Sequence, residues 1–117
     1  MDDLQLRREV PRWSWRELIS LMMRRRRVCR VDGDSMHPAL KDGDRVLYKA
    51  TSACTEGDVV LARHPVVADL KLIKRVARVG PGGRVTLRGD SGLESSDSRG
   101  FGSVAPDAIL GRVTCRL

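Results

Sequence analysis

Apolar positions along this chain follow two different periods, and the change falls near residue 28. In residues 13–27, Leu18, Leu21 and Met22 recur at i, i+3 and i+4, the spacing of one helical face. Ser14 stands where an N-cap belongs and Glu17 follows three residues later, the signature of a capping box. The pattern predicts a helix over 13–27 whose last turn carries arginines, where the helix dipole favours cations. Beyond it, short Val- and Leu-rich runs alternate with Gly-Asp and Pro-Gly turns. Strands are predicted at 28–31, 45–48, 59–63, 70–79, 84–88 and 109–115, with a polar loop over 89–100. Many short strands with regular turn signals imply a mainly β barrel or sandwich with one N-terminal helix. The expected organisation is a basic segment at 1–30 and a core domain at 31–117.

The run at 70–79 has a period of two. Leu70, Leu72, Lys74 and Val76 share one face, while Lys71, Ile73, Arg75, Ala77 and Val79 share the other. Aromatic residues make up only 3% of the chain, so the core must be aliphatic. At 117 residues the chain suits one domain that needs neither metal nor disulfide to fold.

Charge sharpens the division. The formal net charge is +7, with nine arginines and four acids in residues 1–30 against thirteen cations and eleven acids beyond. Arg24, Arg25, Arg26 and Arg27 form a run suited to nucleic acid, an anionic membrane or an acidic partner, or equally to a solvated helix end. Trp13 and Trp15 open the amphipathic segment, so residues 13–27 either lie on a membrane surface or pack their apolar stripe on the domain behind. The longest apolar run there, Leu18-Ile19-Ser20-Leu21-Met22-Met23, is far short of the roughly 20 residues of a spanning helix. No signal peptide is expected. Cys29, Cys54 and Cys115 are odd in number and lack a CxxC pair, which fits a reducing cytoplasm and no zinc site.

The two histidines are poor candidates for chemistry. His37 follows a serine by two residues, and His64 precedes a proline, the context of a loop or strand end. A lysine serves as a base only if its amine is neutral, and burial disfavours the ammonium. Of Lys41, Lys49, Lys71 and Lys74, the alternating pattern places Lys74 between Leu72 and Val76; it is either a buried base or a lysine snorkelling from a rim. The candidate nucleophile is Ser35, in Val31-Asp32-Gly33-Asp34-Ser35-Met36-His37-Pro38. Gly33 is expected to permit close backbone approach and Pro38 to fix the turn, although the same residues also make an ordinary turn.

Four segments together carry a resemblance. Gly33-Asp34-Ser35-Met36-His37-Pro38-Ala39-Leu40 with Gly43-Asp44-Arg45-Val46-Leu47, then Gly57-Asp58-Val59-Val60, then Leu72-Ile73-Lys74-Arg75-Val76, then Gly89-Asp90-Ser91 with Ser95-Ser96-Asp97-Ser98-Arg99, resemble in order and spacing the boxes of the Ser-Lys peptidases. This superfamily includes signal peptidase I and the self-cleaving LexA-type repressors. The resemblance implies a partly open, barrel-like antiparallel sheet and a serine endopeptidase. It implies Ser35 as nucleophile and oxyanion donor, Lys74 as general base, Ser95 as the residue orienting the lysine, and Asp97 with Arg99 as a structural ion pair. Gly33, Met36 and Pro38 shape the nucleophile turn. Gly33 occupies the place where some signal peptidases have a second hydroxyl donor, and Ser91 stands where the family usually has Asn.

The branch is narrowed by what the sequence does not contain. It has no spanning helix, its first thirty residues do not suffice for a helix-turn-helix domain, and it lacks the Ala-Gly and Cys-Gly dipeptides at which the repressors commonly cut themselves. Ala62-Arg63-His64-Pro65 and Ser96-Asp97-Ser98-Arg99-Gly100-Phe101-Gly102 look most like the nickel-type superoxide dismutase maturation proteases. That resemblance implies a cytoplasmic enzyme that removes an N-terminal leader from the dismutase precursor and needs no cofactor, the metal belonging to the substrate. Two other classes stand beside it: a related peptidase recruited to membranes through residues 13–27, and a non-enzymatic module that binds nucleic acid or lipid.

Overall fold

The computed structural model describes residues 10–23, 25–67, 69–91 and 97–117. Its helix α1 spans Trp15–Met22. Six strands follow: β1 Arg27–Arg30, β2 Arg45–Lys49, β3 Val59–Arg63, β4 Lys71–Val79, β5 Val85–Arg88 and β6 Ile109–Arg116. A single helical turn, α2, spans Ser98–Phe101 before β6. All strand pairs are antiparallel, and the sheet order is β1-β2-β6-β3-β4-β5. The sheet curls into a half-barrel with one main helix near the N-terminus, the mainly β architecture expected from the turn spacing.

Each predicted strand is present, shifted by no more than a residue or two. The helix differs more. Ser14 caps it as expected, accepting from the Glu17 amide at 3.3 Å, but α1 ends at Met22, with no basic residue in its last turn. The reason is competition from the sheet. Arg27 pairs with Tyr48 and Arg30 with Arg45, so the end of the arginine run is drawn into an edge strand. The sheet therefore begins inside the segment expected to precede the core. Glu17 ties the helix down, binding Arg26 Nε at 3.1 Å and accepting from Thr114 Oγ1 of β6 at 3.0 Å.

Successive residues of β3 enter two different cores, as strand alternation requires. Val60, Ala62, Val76, Val85, Leu87, Val104 and Ile109 form one aliphatic cluster. Val59 joins Val10, Val31, Met36, Leu40 and Val46 on the other face. The second cluster matters for chemistry, because Met36 and Leu40 are the anchors of the loop that carries Ser35.

In β4 the predicted face of Leu72, Lys74 and Val76 is buried, while Leu70 precedes the strand and is exposed. Arg75, on the opposite face of the strand from Lys74, is also buried, at 4% exposure. It is neutralised by Asp90 in a fork of two bonds, Nε to Oδ1 at 3.1 Å and Nη2 to Oδ2 at 2.7 Å. Its third contact is to the Gly57 carbonyl at 2.9 Å. Periodicity alone misses this, because the partner lies fifteen residues away.

Candidate active site

Ser35 sits on a turn held from both ends. Val31 donates to the Asp44 carbonyl at 2.7 Å, and Gly43 returns a bond to the Val31 carbonyl at 2.8 Å. Inside the turn, the Gly33 amide donates to Asp42 Oδ1 at 2.8 Å. The His37 amide donates to the Asp34 carbonyl, and the Leu40 amide to the Met36 carbonyl, each at 3.0 Å. Met36 and Leu40 are buried, so their side chains pin the loop while Ser35 between Asp34 and Met36 stays half-buried. Pro38 is exposed.

Gly33 is not the close-approach glycine of this site. Nothing lies within 4 Å of where its Cβ would be, and its φ is +86°, a conformation that favours glycine. The close approach is made by Gly89. A Cβ there would stand 2.7 Å from the Ser35 carbonyl oxygen and 3.3 Å from the Ser35 Cβ. Two residues on, the Ser91 amide donates to that same carbonyl at 3.0 Å. Ser91 makes this contact through its backbone, so the contact itself does not depend on the side chain at that position.

The Gly89–Ser91 segment is fixed in turn by two acids. Asp90 is locked to Arg75, the neighbour of Lys74 in β4. Asp97, completely buried, accepts from the Gly89 amide at 2.9 Å, and from Arg99 Nη2 at 2.7 Å and Nε at 3.1 Å. Burial alone would raise the Asp97 pKa. The Arg99 side chain and the amides of Gly89 and Arg99 outweigh it and bring the value down to about 2. Asp97 and Arg99 thus form an ion pair one hydrogen bond removed from the loop that touches Ser35. Ser95 lies outside the described residues.

Lys74 is 3% exposed. It stands opposite Val60, a residue with no exposure at all. A cleft of about 420 Å³ brings it together with Ser35, and Leu61, Leu72 and Ile73 supply apolar lining. The serine and the buried lysine, 39 positions apart in the chain, therefore share one cavity. The cleft opens where the sheet leaves two edges. β1 ends the sheet on one side, and β4 pairs with β5 only from Arg75 onward, so over residues 71–74 its one neighbouring strand is β3.

The alternatives for nucleophilic chemistry are weaker. Neither histidine lines the cleft. His64 Nδ1 accepts from the amides of Val66 and Val67 at 3.0 and 2.9 Å, and its ring meets Phe101 edge-on at 5.0 Å. Burial pushes the thiols of Cys29, Cys54 and Cys115 upward, away from the thiolate that a cysteine nucleophile needs. Among the described residues no group of His, Cys, Asp or Glu side chains is placed to hold a metal ion, and no helix is long and apolar enough to cross a membrane.

Residues 18–93 match the model of the signal peptidase family, "Signal peptidase, peptidase S26". No curated protein matches the chain. The match spans more than half of the sequence and takes in Ser35, Lys74 and the Gly89–Ser91 segment, ending short of Asp97. The chain belongs to the signal peptidase family S26. It is a signal peptidase-like serine peptidase, and its substrate is protein.

Proposed function

We propose that Ser35 and Lys74 form a catalytic dyad that cleaves a leader from a protein precursor. The observation that carries the reading is the burial of the Lys74 side chain in the same cleft as Ser35. Burial disfavours the ammonium, and a neutral amine is what a general base requires. Lys74 takes the proton of the Ser35 hydroxyl as Oγ attacks the scissile carbonyl carbon. Negative charge develops on the carbonyl oxygen, and the Ser35 amide N–H donates to it. The C–N bond breaks, and the proton held by Lys74 passes to the leaving amine. The remaining acyl ester on Ser35 is hydrolysed by a water that Lys74 deprotonates. Ser95 orients the amine. Arg75–Asp90 and Asp97–Arg99 brace the strand and loop that present the pair.

The substrate binds extended, between β1 and residues 71–74 of β4, where β4 has a neighbouring strand on one side only. A shallow pocket selects a small residue before the cut. The precursor is that of a nickel superoxide dismutase, a reading supported by the likeness of residues 62–65 and 96–102 to that maturation group. Its test is to incubate the purified chain with the dismutase precursor and follow leader removal by mass spectrometry. Wild type removes the leader and Ser35→Ala does not. An intact precursor with folded wild-type enzyme refutes the substrate, and full activity in Ser35→Ala refutes the nucleophile.

A second reading concerns location. On α1, Trp15, Ile19, Met22 and Met23 are exposed at i, i+4, i+7 and i+8, with Trp13 exposed beside Trp15. Exposed arginines at positions 12, 16, 25 and 27 flank that apolar stripe, a composition suited to the surface of an anionic bilayer. Flotation with phosphatidylserine vesicles tests it. Co-migration that Trp15→Ser with Ile19→Ser removes supports the reading, and no co-migration excludes it.

A further inference from the structure

The cleft that holds Ser35 and Lys74 continues along the sheet into a second cavity of about 350 Å³. The two cavities share Leu61, Asp69 and Lys71. Tyr48, Leu61 and Leu110 give the second one an apolar floor, and Arg27, Arg63 and Lys71 give it a cationic rim.

The placement of those cations is unusual. Arg63 and Lys71 face each other directly in the antiparallel register of β3 and β4, and like charges so placed cost stability. Arg27 enters the same cavity from the edge strand β1. The ion pairs among the described residues engage Arg26, Arg30, Arg75 and Arg99 and none of these three. All three are exposed, and among the described residues Asp69 is the one carboxylate lining the cavity with them. Three cations against one acid leave a net positive site, so an incoming carboxylate would relieve the repulsion. The shape of the groove, flanked by open strand edges, fits an extended polypeptide rather than a compact anion. Lys71 lies three residues from Lys74, about 10 Å along a strand, a span that an extended substrate also covers in about three residues.

We propose that Arg27, Arg63 and Lys71 form a specificity site that selects precursors bearing an Asp or Glu about three to five residues from the bond that is cut. This rests on the peptidase reading above and adds the class of substrate. The probes are short fluorescein-labelled peptides rich in Ala and Ser, with a single Glu walked through each position and a matched set carrying Gln. Two quantities are read: kcat/KM by mass spectrometry with the wild type, and Kd by fluorescence anisotropy with Ser35→Ala. At the favoured position Glu exceeds Gln by about five- to tenfold in both, the scale of one partly exposed charged hydrogen bond. Arg63→Gln and Lys71→Gln each shrink the ratio, and Arg63→Glu with Lys71→Glu turns the preference toward a Lys-bearing peptide. Equal values for Glu and Gln at every position, or a preference that the variants leave unchanged, overturn the proposal. Cleavage by Ser35→Ala at the wild-type rate refutes the dyad reading and leaves this proposal standing, and where no peptide is cleaved the binding arm decides it. Tighter binding of the Glu peptide, weakened by Lys71→Gln, supports it, and indifference refutes it.

Discussion

Gly89→Ala tests the architecture of the site without touching any group assigned to chemistry. The added methyl would stand 2.7 Å from the Ser35 carbonyl oxygen, whereas ordinary contact begins at about 3.4 Å. The nucleophile turn or the 89–91 loop must therefore give by about 0.7 Å. The flexible end of a side chain would absorb that, but the atom met is backbone. It is also the acceptor of the Ser91 amide, so movement strains that bond as well. Gly89 has no positive φ, so alanine carries no torsional penalty and the whole effect is one of contact. Overpacking of this kind costs about 1–3 kcal/mol. A displacement approaching 1 Å at a reacting group costs about 10²-fold in rate, so kcat/KM for precursor cleavage falls by about 10- to 10²-fold. Gly80→Ala is the control, since its Cβ would meet nothing closer than 3.7 Å. Both variants are assayed by precursor cleavage and by thermal unfolding. Gly89→Ala with cleavage within twofold of wild type would refute the claim that this glycine sets the position of Ser35.

The two braces make further predictions. Asp90→Ala leaves the buried Arg75 guanidinium without its carboxylate and lowers stability by about 3–5 kcal/mol; a urea midpoint unchanged from wild type contradicts the brace. Asp97 has a folded pKa of about 2, held below the ordinary 3.8 of a free aspartate by Arg99 and the Gly89 and Arg99 amides. Its contribution to stability is thus complete above about pH 4 and is lost as the pH falls toward 2. Asp97→Asn is therefore less stable than wild type at neutral pH and loses less stability on acidification, as read from denaturant midpoints across that range. Parallel pH curves for the two proteins would dismiss this assignment.

What the sequence made legible follows from which interactions are local. Gly-Asp and Pro-Gly turns punctuate the chain between β-branched runs, so all six strands and the mainly β class could be read directly. The period of two in β4 sorted Lys74 from Lys71, because that face is decided by neighbours two residues away. Non-local pairings were out of reach. The arginine run reads as the end of a helix until β2 draws Arg27 into the sheet. Nothing local to Arg75 announces that Asp90 closes on it. Gly33 drew notice for its place in the nucleophile turn, yet the glycine that has to be small is Gly89, and only the folded chain brings it against Ser35. Gly89-Asp90-Ser91 stood out only through the family resemblance, because a Gly-Asp pair by itself is shared with ordinary turns.

The central claim is that a neutral Lys74 activates Ser35, and the measurement that tests it most directly is precursor cleavage by Lys74→Ala. The substitution removes a buried polar group opposite Val60, and circular dichroism and thermal unfolding establish that the variant assayed is folded. Loss of a general base costs about 10²–10⁴-fold. The account predicts a folded protein with kcat/KM reduced by at least that range. Folded Lys74→Ala that cleaves at the wild-type rate would contradict it.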